Sequence, residues 1–214
     1  MTIPTGLTTL PFIAHPIRTD RLVLRPLTEA DVDDVFAYQS IAEVVEFLPW
    51  PLRNREESRA HTLERAGFTR LEHDGDRLIL GAELIGDAGD TDKADDAGAH
   101  NGTSKPGRVI GDLSVFLNSG EHAQIEIGWV FHPDHQRKGY ATEAARALLD
   151  LAFAEIGAHR VFARLDPHNT ASVALCQRLG MRQEAYFRES EIFKGAWGDL
   201  AIYAILRREW LDEA

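Results

Sequence analysis

Apolar and polar residues alternate along Arg21–Leu27 (RLVLRPL), the period-two pattern of a strand with one face buried. Thr28 then opens TEADVDDVFAYQ, where Thr28 and Asp31 have the spacing of a helix capping box. A Pro-punctuated turn, FLPWPL from Phe47 to Leu52, leads to a charged amphipathic helix over NREESRAHTLERAGFTRLEHD, Asn54 to Asp74, with Asn54 suited as its N-cap. Strand patterns return at Asp76–Ile85, Gly107–Leu117 and Gln124–Phe131. Ala141, Ala145, Leu148, Leu149, Ala152 and Phe153 then recur at three- and four-residue spacing, the stripe of a helix buried on one side and ending before Gly157. The chain closes with a strand at Arg160–Leu165, a helix from Asn169 to Leu179 stopped by Gly180, and two strands around KGAWGD.

Two stretches break the pattern. Residues 1–18 carry Pro4, Pro11 and Pro16 and lack a basic start, so they read as a loose leader and not as a signal peptide. Between Ile85 and Gly107 the sequence GDAGDTDKADDAGAHNGTSKP has no apolar residue larger than Ala and cannot bury enough surface to offset its ordering entropy. It reads as a mobile insertion at about 86–107 within one domain spanning 19–214.

Composition narrows the class. The 214 residues are 44% hydrophobic, enough to fill one core, and no stretch approaches the length of a membrane span. Cys176 is the single cysteine, which rules out an intrachain disulfide and points to a reducing, cytoplasmic setting. Against 34 Asp and Glu stand 23 Lys and Arg, a net charge of -11 that argues against gripping nucleic acid phosphates and would attract a cationic substrate.

The chemistry begins where Gly139 precedes the helix at Ala141. A helix start leaves about four N–H groups without intrahelical acceptors and carries about half a positive charge, so an anion can dock there. Neither G-x-x-x-x-G-K-[ST] nor G-x-G-x-x-G occurs. The sequence Gln136-x-x-Gly139-x-Ala141, set between an apolar strand and a helix, instead resembles the acetyl-CoA loop of the GNAT superfamily of N-acetyltransferases. Asn169, Ser172, Gly195, Trp197, Asp199, Glu209 and Trp210 are similar to the N-x-x-S helix start and G-x-W-x-D hairpin ending in E-W of the RimJ/RimL branch. The resemblance covers about Thr19 to Trp210. It implies an α/β (α+β) GNAT fold, with a mixed, mostly antiparallel sheet of about six to seven strands flanked by about four helices. Acetyl-CoA as co-substrate would then contact Val130, Phe131, Gln136, Arg137, Lys138, Gly139, Tyr140, Ala141, Thr142, Asn169 and Ser172. It also implies a bulge near Pro133 that turns backbone N–H groups around Val130 inward.

Acetylation of an amine by a thioester needs a neutral amine, a stabilised oxyanion and a proton for the thiolate. Glu126 matches the position where many family members carry a carboxylate base; a solvated strand residue or an Arg partner is the plainer reading. Much of the superfamily uses a tyrosine seven residues after the asparagine, where this chain has Cys176. The branch resemblance points to Ser172 as thiol partner and proton donor, beside the alternative of a first-turn backbone cap. A nucleophilic Cys176 is disfavoured by its mid-helix apolar neighbours, and His132 with His135 lacks a third ligand for a metal. Phe47, Trp50, Trp197 and Asp199 are candidates to wall the acceptor site. The sequence thus supports an N-acetyltransferase acting on a peptide N-terminus or a small amine, as monomer or homodimer. The alternatives are a catalytically silent acyl-CoA-binding module and an acyltransferase using a longer acyl chain.

Overall fold

The structure, a computed structural model, describes residues 6–85 and 107–212. Apart from Gly107, the expected insertion at about 86–107 lies outside the described residues. Among the described residues ten strands form in chain order: β1 (Phe12–Ile13), β2 (Ile17–Arg18), β3 (Leu22–Pro26), β4 (Arg70–Leu71), β5 (Arg77–Leu84), β6 (Val109–Ser119), β7 (Gln124–Phe131), β8 (Arg160–Leu165), β9 (Arg182–Phe193) and β10 (Ala196–Leu206). The α-helices are α1 (Val32–Gln39), α2 (Ala42–Val45), α3 (Arg55–Ala66), α4 (Tyr140–Asp150), α5 (Thr170–Arg178) and α6 (Arg207–Asp212). Eight strands build one sheet in the order β2-β3-β5-β6-β7-β8-β10-β9, and every neighbouring pair is antiparallel except β7 and β8. The count exceeds the expected six to seven because two-residue β2 adds an edge strand that no periodicity could announce.

Local chemistry sets the boundaries. The Thr28 N–H and hydroxyl both donate to the Asp31 carboxylate, at 2.7 and 2.9 Å, where the capping box is expected. At α3 the box is reciprocal: Asn54 Oδ1 accepts from the Glu57 N–H at 3.0 Å, and the Asn54 N–H donates to Glu57 Oε2 at 2.9 Å. Helix α3 stops at Gly67, and the chain continues into β4, so the helical reading onward from Gly67 is corrected. After α4 the chain makes one wider turn over Leu151–Glu155, closed by the Ile156 N–H on the Leu151 carbonyl at 3.0 Å.

Both sheet faces are covered. On one, Ile125, Ile127 and Leu113 pack with Ala144, Ala145, Leu148 and Leu149 of α4 and with Leu175 and Cys176 of α5. On the other, Ile79, Val109 and Val130 pack with Val35 and Tyr38 of α1. The loose-leader reading is corrected for its described part. Phe12 and Ile13 pair with Leu71 and Arg70, Ile17 and Arg18 pair with Leu24 and Val23, and Leu7, Leu10, Phe12, Ala14 and Ile17 pack against the larger core. Leu7, Leu10 and Phe12 supply the anchors that the Pro residues obscured.

One departure from regular pairing positions the site. Strand β7 is parallel to β8 only from Gln124–Arg160 to Glu126–Phe162. Beyond that register β7 stays in step with β6 to Gly111–Phe131, and β8 stays in step with β10 to Leu165–Ala201. The two central strands therefore splay apart after Glu126. The expected bulge is replaced by this splay, since the β6–β7 register shifts only between Leu117 and Ser119, far from Val130.

Candidate active site

The loop before α4 presents a row of backbone N–H groups without partners among the described residues. Arg137 and Gly139 adopt left-handed conformations, φ +59° and +84°, with Lys138 between them. Such alternation aims successive N–H groups toward one side. Among the described residues no acceptor takes the backbone N–H of Arg137, Lys138 or Gly139, and Tyr140, Ala141 and Thr142 form the first turn of α4, which has no intrahelical acceptors. The first helical bond is the Glu143 N–H on the Gly139 carbonyl, 3.0 Å. Gln136 does not point its amide into this N–H array; Nε2 donates to the Phe131 carbonyl at 3.3 Å, tying the loop to the end of β7. Phe131 itself is buried in the larger core, so its backbone, not its ring, belongs to the site.

A clamp missed in the sequence holds the loop. Arg21 donates through Nη1 to the Lys138 carbonyl at 2.9 Å and through Nε to Glu143 at 2.7 Å, and its guanidinium lies 4.5 Å from the centre of the Tyr140 ring. Glu143 also accepts from the Thr19 hydroxyl and the Arg21 N–H, at 2.6 and 2.8 Å. These contacts, with the burial that opposes them, leave the Glu143 carboxyl below its usual pKa. No local pattern joins Arg21 to Glu143, because they lie 122 residues apart.

Beside the splay lies a cavity of about 610 Å³. It gathers Glu126 and Val130 from β7, Ser172 from α5 with Asn169 just before it, Phe47 and Trp50 from the turn after α2, and Asp199 from β10. Residues 136–142 do not line it; their N–H array lies outside this cavity. Nor does Trp197, which is 65% exposed on the β9–β10 hairpin opposite Ile192. The assignment of Trp197 as a cavity wall is corrected: its side chain stands exposed near the tip of the hairpin, while Ile192, Phe193 and Leu200 line the cavity.

Glu126 lies on the strand face opposite Ile125 and Ile127, which are buried in the core. Burial pushes its carboxyl above the usual range, and Arg164 partly offsets this. Ser172 is not the cap of α5. The Asn169 side chain caps it, accepting from the Ser172 N–H at 3.1 Å, and leaves the Ser172 hydroxyl to accept from Trp129 Nε1–H at 3.2 Å. With a lone pair so engaged, the hydroxyl hydrogen is free to be donated elsewhere. Cys176 sits fully buried behind them, its thiol pushed up to about 12 by burial, so it supplies no thiolate at neutral pH. Asp199 accepts from the Tyr186 hydroxyl at 2.5 Å and the Glu189 N–H at 2.9 Å, which hold its carboxyl below the usual range and make it a poor proton acceptor.

Further residues complete the cavity. Trp50 packs against His61 with ring centres 5.0 Å apart and planes tilted by 56°, and burial with the nearby Arg65 and Arg53 lowers the His61 pKa to about 4, so the ring is neutral. Beneath them Asp112 accepts from Tyr38 Oη at 2.5 Å and from both Arg65 Nη1 and Nη2, the former at 3.2 Å. Phe116, Arg77 and Arg164 line the same space. The strand patterns around them pointed to a sheet face, but cavity lining depends on which strands neighbour one another.

Comparison with known proteins agrees with this geometry. Residues 21–182 match the acetyltransferase (GNAT) domain. The chain is 31% identical over 194 residues to the uncharacterized N-acetyltransferase YnaD of Bacillus subtilis, a match covering 91% of this chain and 98% of that protein. A GNAT-family acetyltransferase from Bacillus anthracis superposes with a TM-score of 0.74 at 30% identity, covering 91% of this chain and 100% of that one. The structure of RimL, a ribosomal alpha-N-protein acetyltransferase in complex with coenzyme A, shares the fold at a TM-score of 0.68 and 18% identity, covering 90% of this chain and 98% of that one.

Proposed function

The chain belongs to the acetyltransferase (GNAT) family, and from that premise we propose that it moves the acetyl group of acetyl-CoA onto a primary amine by direct attack in a ternary complex. The preferred acceptor is a protein N-terminal α-amine or a small-molecule amine of similar pKa; RimL, which shares the fold, is an alpha-N-protein acetyltransferase. The observation that carries the reading is the convergence, in one cavity beside the β7–β8 splay, of a half-buried carboxylate and a hydroxyl with a free hydrogen.

The residues fit acetyl-CoA as co-substrate. The free N–H groups of Arg137 to Thr142 would hold the pyrophosphate, and Asn169 and the free edge of β7 around Val130 would hold the pantetheine arm. In the reaction the amine nitrogen attacks the thioester carbonyl carbon, forming the C–N bond. The oxyanion is held by backbone N–H groups on the splayed edge of β7. Collapse breaks the C–S bond, Ser172 gives its hydroxyl proton to the thiolate and regains one from water, and the proton lost by the amine passes through water to Glu126 and then to solvent. Trp129 positions Ser172 for this step.

Amine pKa favours the stated acceptor. At pH 7 keeping a lysine neutral costs roughly 4 to 5 kcal/mol, against about 1 kcal/mol for an α-amine. A single carboxylate raised by burial offers modest general-base help, typically about 10²- to 10⁴-fold. That range, about 3 to 5 kcal/mol, exceeds the cost for an α-amine throughout and meets the cost for a lysine only at its upper end.

A pH-rate profile from about pH 6 to 10, on an N-terminal peptide and on a peptide whose only amine is a lysine, tests the assignment. The raised Glu126 pKa means the base form is present above that pKa and lost as pH falls through it. Glu126→Gln should flatten the acid limb and lower the rate roughly 10²-fold or more, with acetyl-CoA affinity retained. Ser172→Ala should lower the rate at every pH. A lysine preference at pH 7, or a Glu126→Gln profile overlaying the parent, would remove Glu126 as base. Binding of acetyl-CoA without transfer to any amine of a broad panel would leave the silent acyl-CoA-binding module.

A further inference from the structure

Most charged groups of the cavity are already matched. Asp112 is taken by Arg65 and Tyr38, Arg164 faces Glu191 at 3.5 Å, and Asp199 is occupied by Tyr186 and the Glu189 N–H. Arg77 is different. Among the described residues it pairs with no carboxylate, yet its guanidinium is held in place, 4.6 Å from the centre of the Phe68 ring and 5.8 Å from that of Phe116. Aromatic faces fix a guanidinium without using its N–H donors, and the fork stays available for bidentate binding of a carboxylate.

Strand register relates this cation to the proposed base. Arg77 pairs with Phe116 between β5 and β6, and Phe116 pairs with Glu126 between β6 and β7. The three residues form one transverse row on the same sheet face, so with neighbouring strands about 4.8 Å apart, Arg77 and Glu126 are roughly 10 Å apart at their Cα atoms. Phe116 makes an apolar floor between a fixed cation and a carboxylate base. Resting on the acetyl-transfer reading above, we propose that Arg77 is a specificity-determining residue that binds a carboxylate of the acceptor a few bonds from the reacting amine. The acceptor is then an amine carrying an anion: a free amino acid, or a peptide N-terminus with an acidic side chain in its first two residues. A diamine is the opposing class, because its second ammonium would sit against Arg77; besides the base Glu126, the other unpaired charge of the cavity lining among the described residues is Glu64, exposed like Arg77 but on α3 and not in this row.

The test compares acceptors that differ only in the carboxylate. One arm uses alanine against alaninamide, and the other uses alanyl-aspartate amide against alanyl-asparagine amide. A neighbouring carboxylate also raises an amine's pKa, so binding of the corresponding N-acetylated products, which have no amine, is measured by calorimetry beside kcat/KM. The carboxylate member of at least one arm should be preferred by roughly tenfold or more, the low end for a charge-assisted pair, and that arm identifies the source. Arg77→Gln should bring the ratio close to one, chiefly through KM, and Arg77→Lys should restore part of it. Both variants should keep the parent's melting midpoint and its upshift with acetyl-CoA. A ratio near one in both arms of the parent, a ratio unchanged in Arg77→Gln, or a preference for putrescine that survives Arg77→Gln would overturn the proposal. Carboxylate-selective product binding that needs Arg77, without turnover of any amine, would uphold this site and overturn the transfer reading, so the two failures are separable.

Discussion

Gly139 shows how much one residue can carry at this site. Its φ of +84° is open to glycine at no cost, whereas an L-residue held there is strained by about 1 to 2 kcal/mol. An added Cβ would also stand 3.2 Å from Arg21 Nη2, the side chain that clamps the loop. Gly139→Ala should therefore cost about 1 kcal/mol of stability and weaken acetyl-CoA binding, while Gly139→Glu, which brings a negative charge to the free N–H groups, should abolish it with the fold retained. The measurement is the rise in melting midpoint with acetyl-CoA, and an equal rise in parent and Gly139→Glu proteins would exclude this loop as the pyrophosphate site. Residue types with a local mechanism, such as Gly139 before a helix start or Asn169 as a cap, were legible in the sequence. Trp129 and Arg21 were not, because their partners lie 43 and 122 residues away, and Arg77 was not, because its role comes from strands whose neighbours the sequence does not state.

Elements with strong periodicity were read closely. Strands β7 and β8 occupy the expected Gln124–Phe131 and Arg160–Leu165, and α5 begins one residue after its Asn169 cap. Two-residue β1, β2 and β4 offered no period to detect and exist through tertiary pairing. The splay after Glu126 was equally hidden, since an apolar strand reads the same whether its neighbour stays or departs. At the ends of the 86–106 interval, the Leu84 N–H donates to the Arg108 carbonyl at 2.9 Å, and the Gly107 N–H donates to Glu83 Oε1 at 2.7 Å. The chain thus leaves β5 and enters β6 at adjacent ladder positions, which a short connector can join. Replacing Asp87 to Lys105 with a short Gly/Ser link should change stability by less than about 1 kcal/mol, because the interval's composition offers no large apolar group and shortening a loop lowers its closure entropy cost. Urea unfolding compares the two chains, and a loss of several kcal/mol would give the interval a structural role.

At the scale of the whole molecule, the sheet carries a larger core on its α4–α5 face and a smaller one on its α1 face. Composition supports enough apolar surface for both but does not say how the smaller layer is held in register over the cavity. The structure supplies a polar bolt: Tyr38 of α1 and Arg65 of α3 converge on Asp112 of β6, and all three are buried. An ion pair in such a place adds little net stability compared with a well-packed apolar pair, but removing one partner strands the other's charge, at about 3 to 5 kcal/mol. That is a large part of a typical stability of about 5 to 15 kcal/mol. Arg65→Met and Asp112→Leu should therefore each lower the unfolding free energy by several kcal/mol at pH 7, whereas the double substitution should lose clearly less than the sum, because neither charge is then left buried alone. The same residues line the acceptor cavity, so the single variants should also lose acceptor affinity before acetyl-CoA affinity, whose loop is tied to Thr19, Arg21 and Glu143 by separate contacts. Additive losses in the double-mutant cycle, or single variants within about 0.5 kcal/mol of the parent, would mean that α1 and α3 are held by their apolar contacts alone.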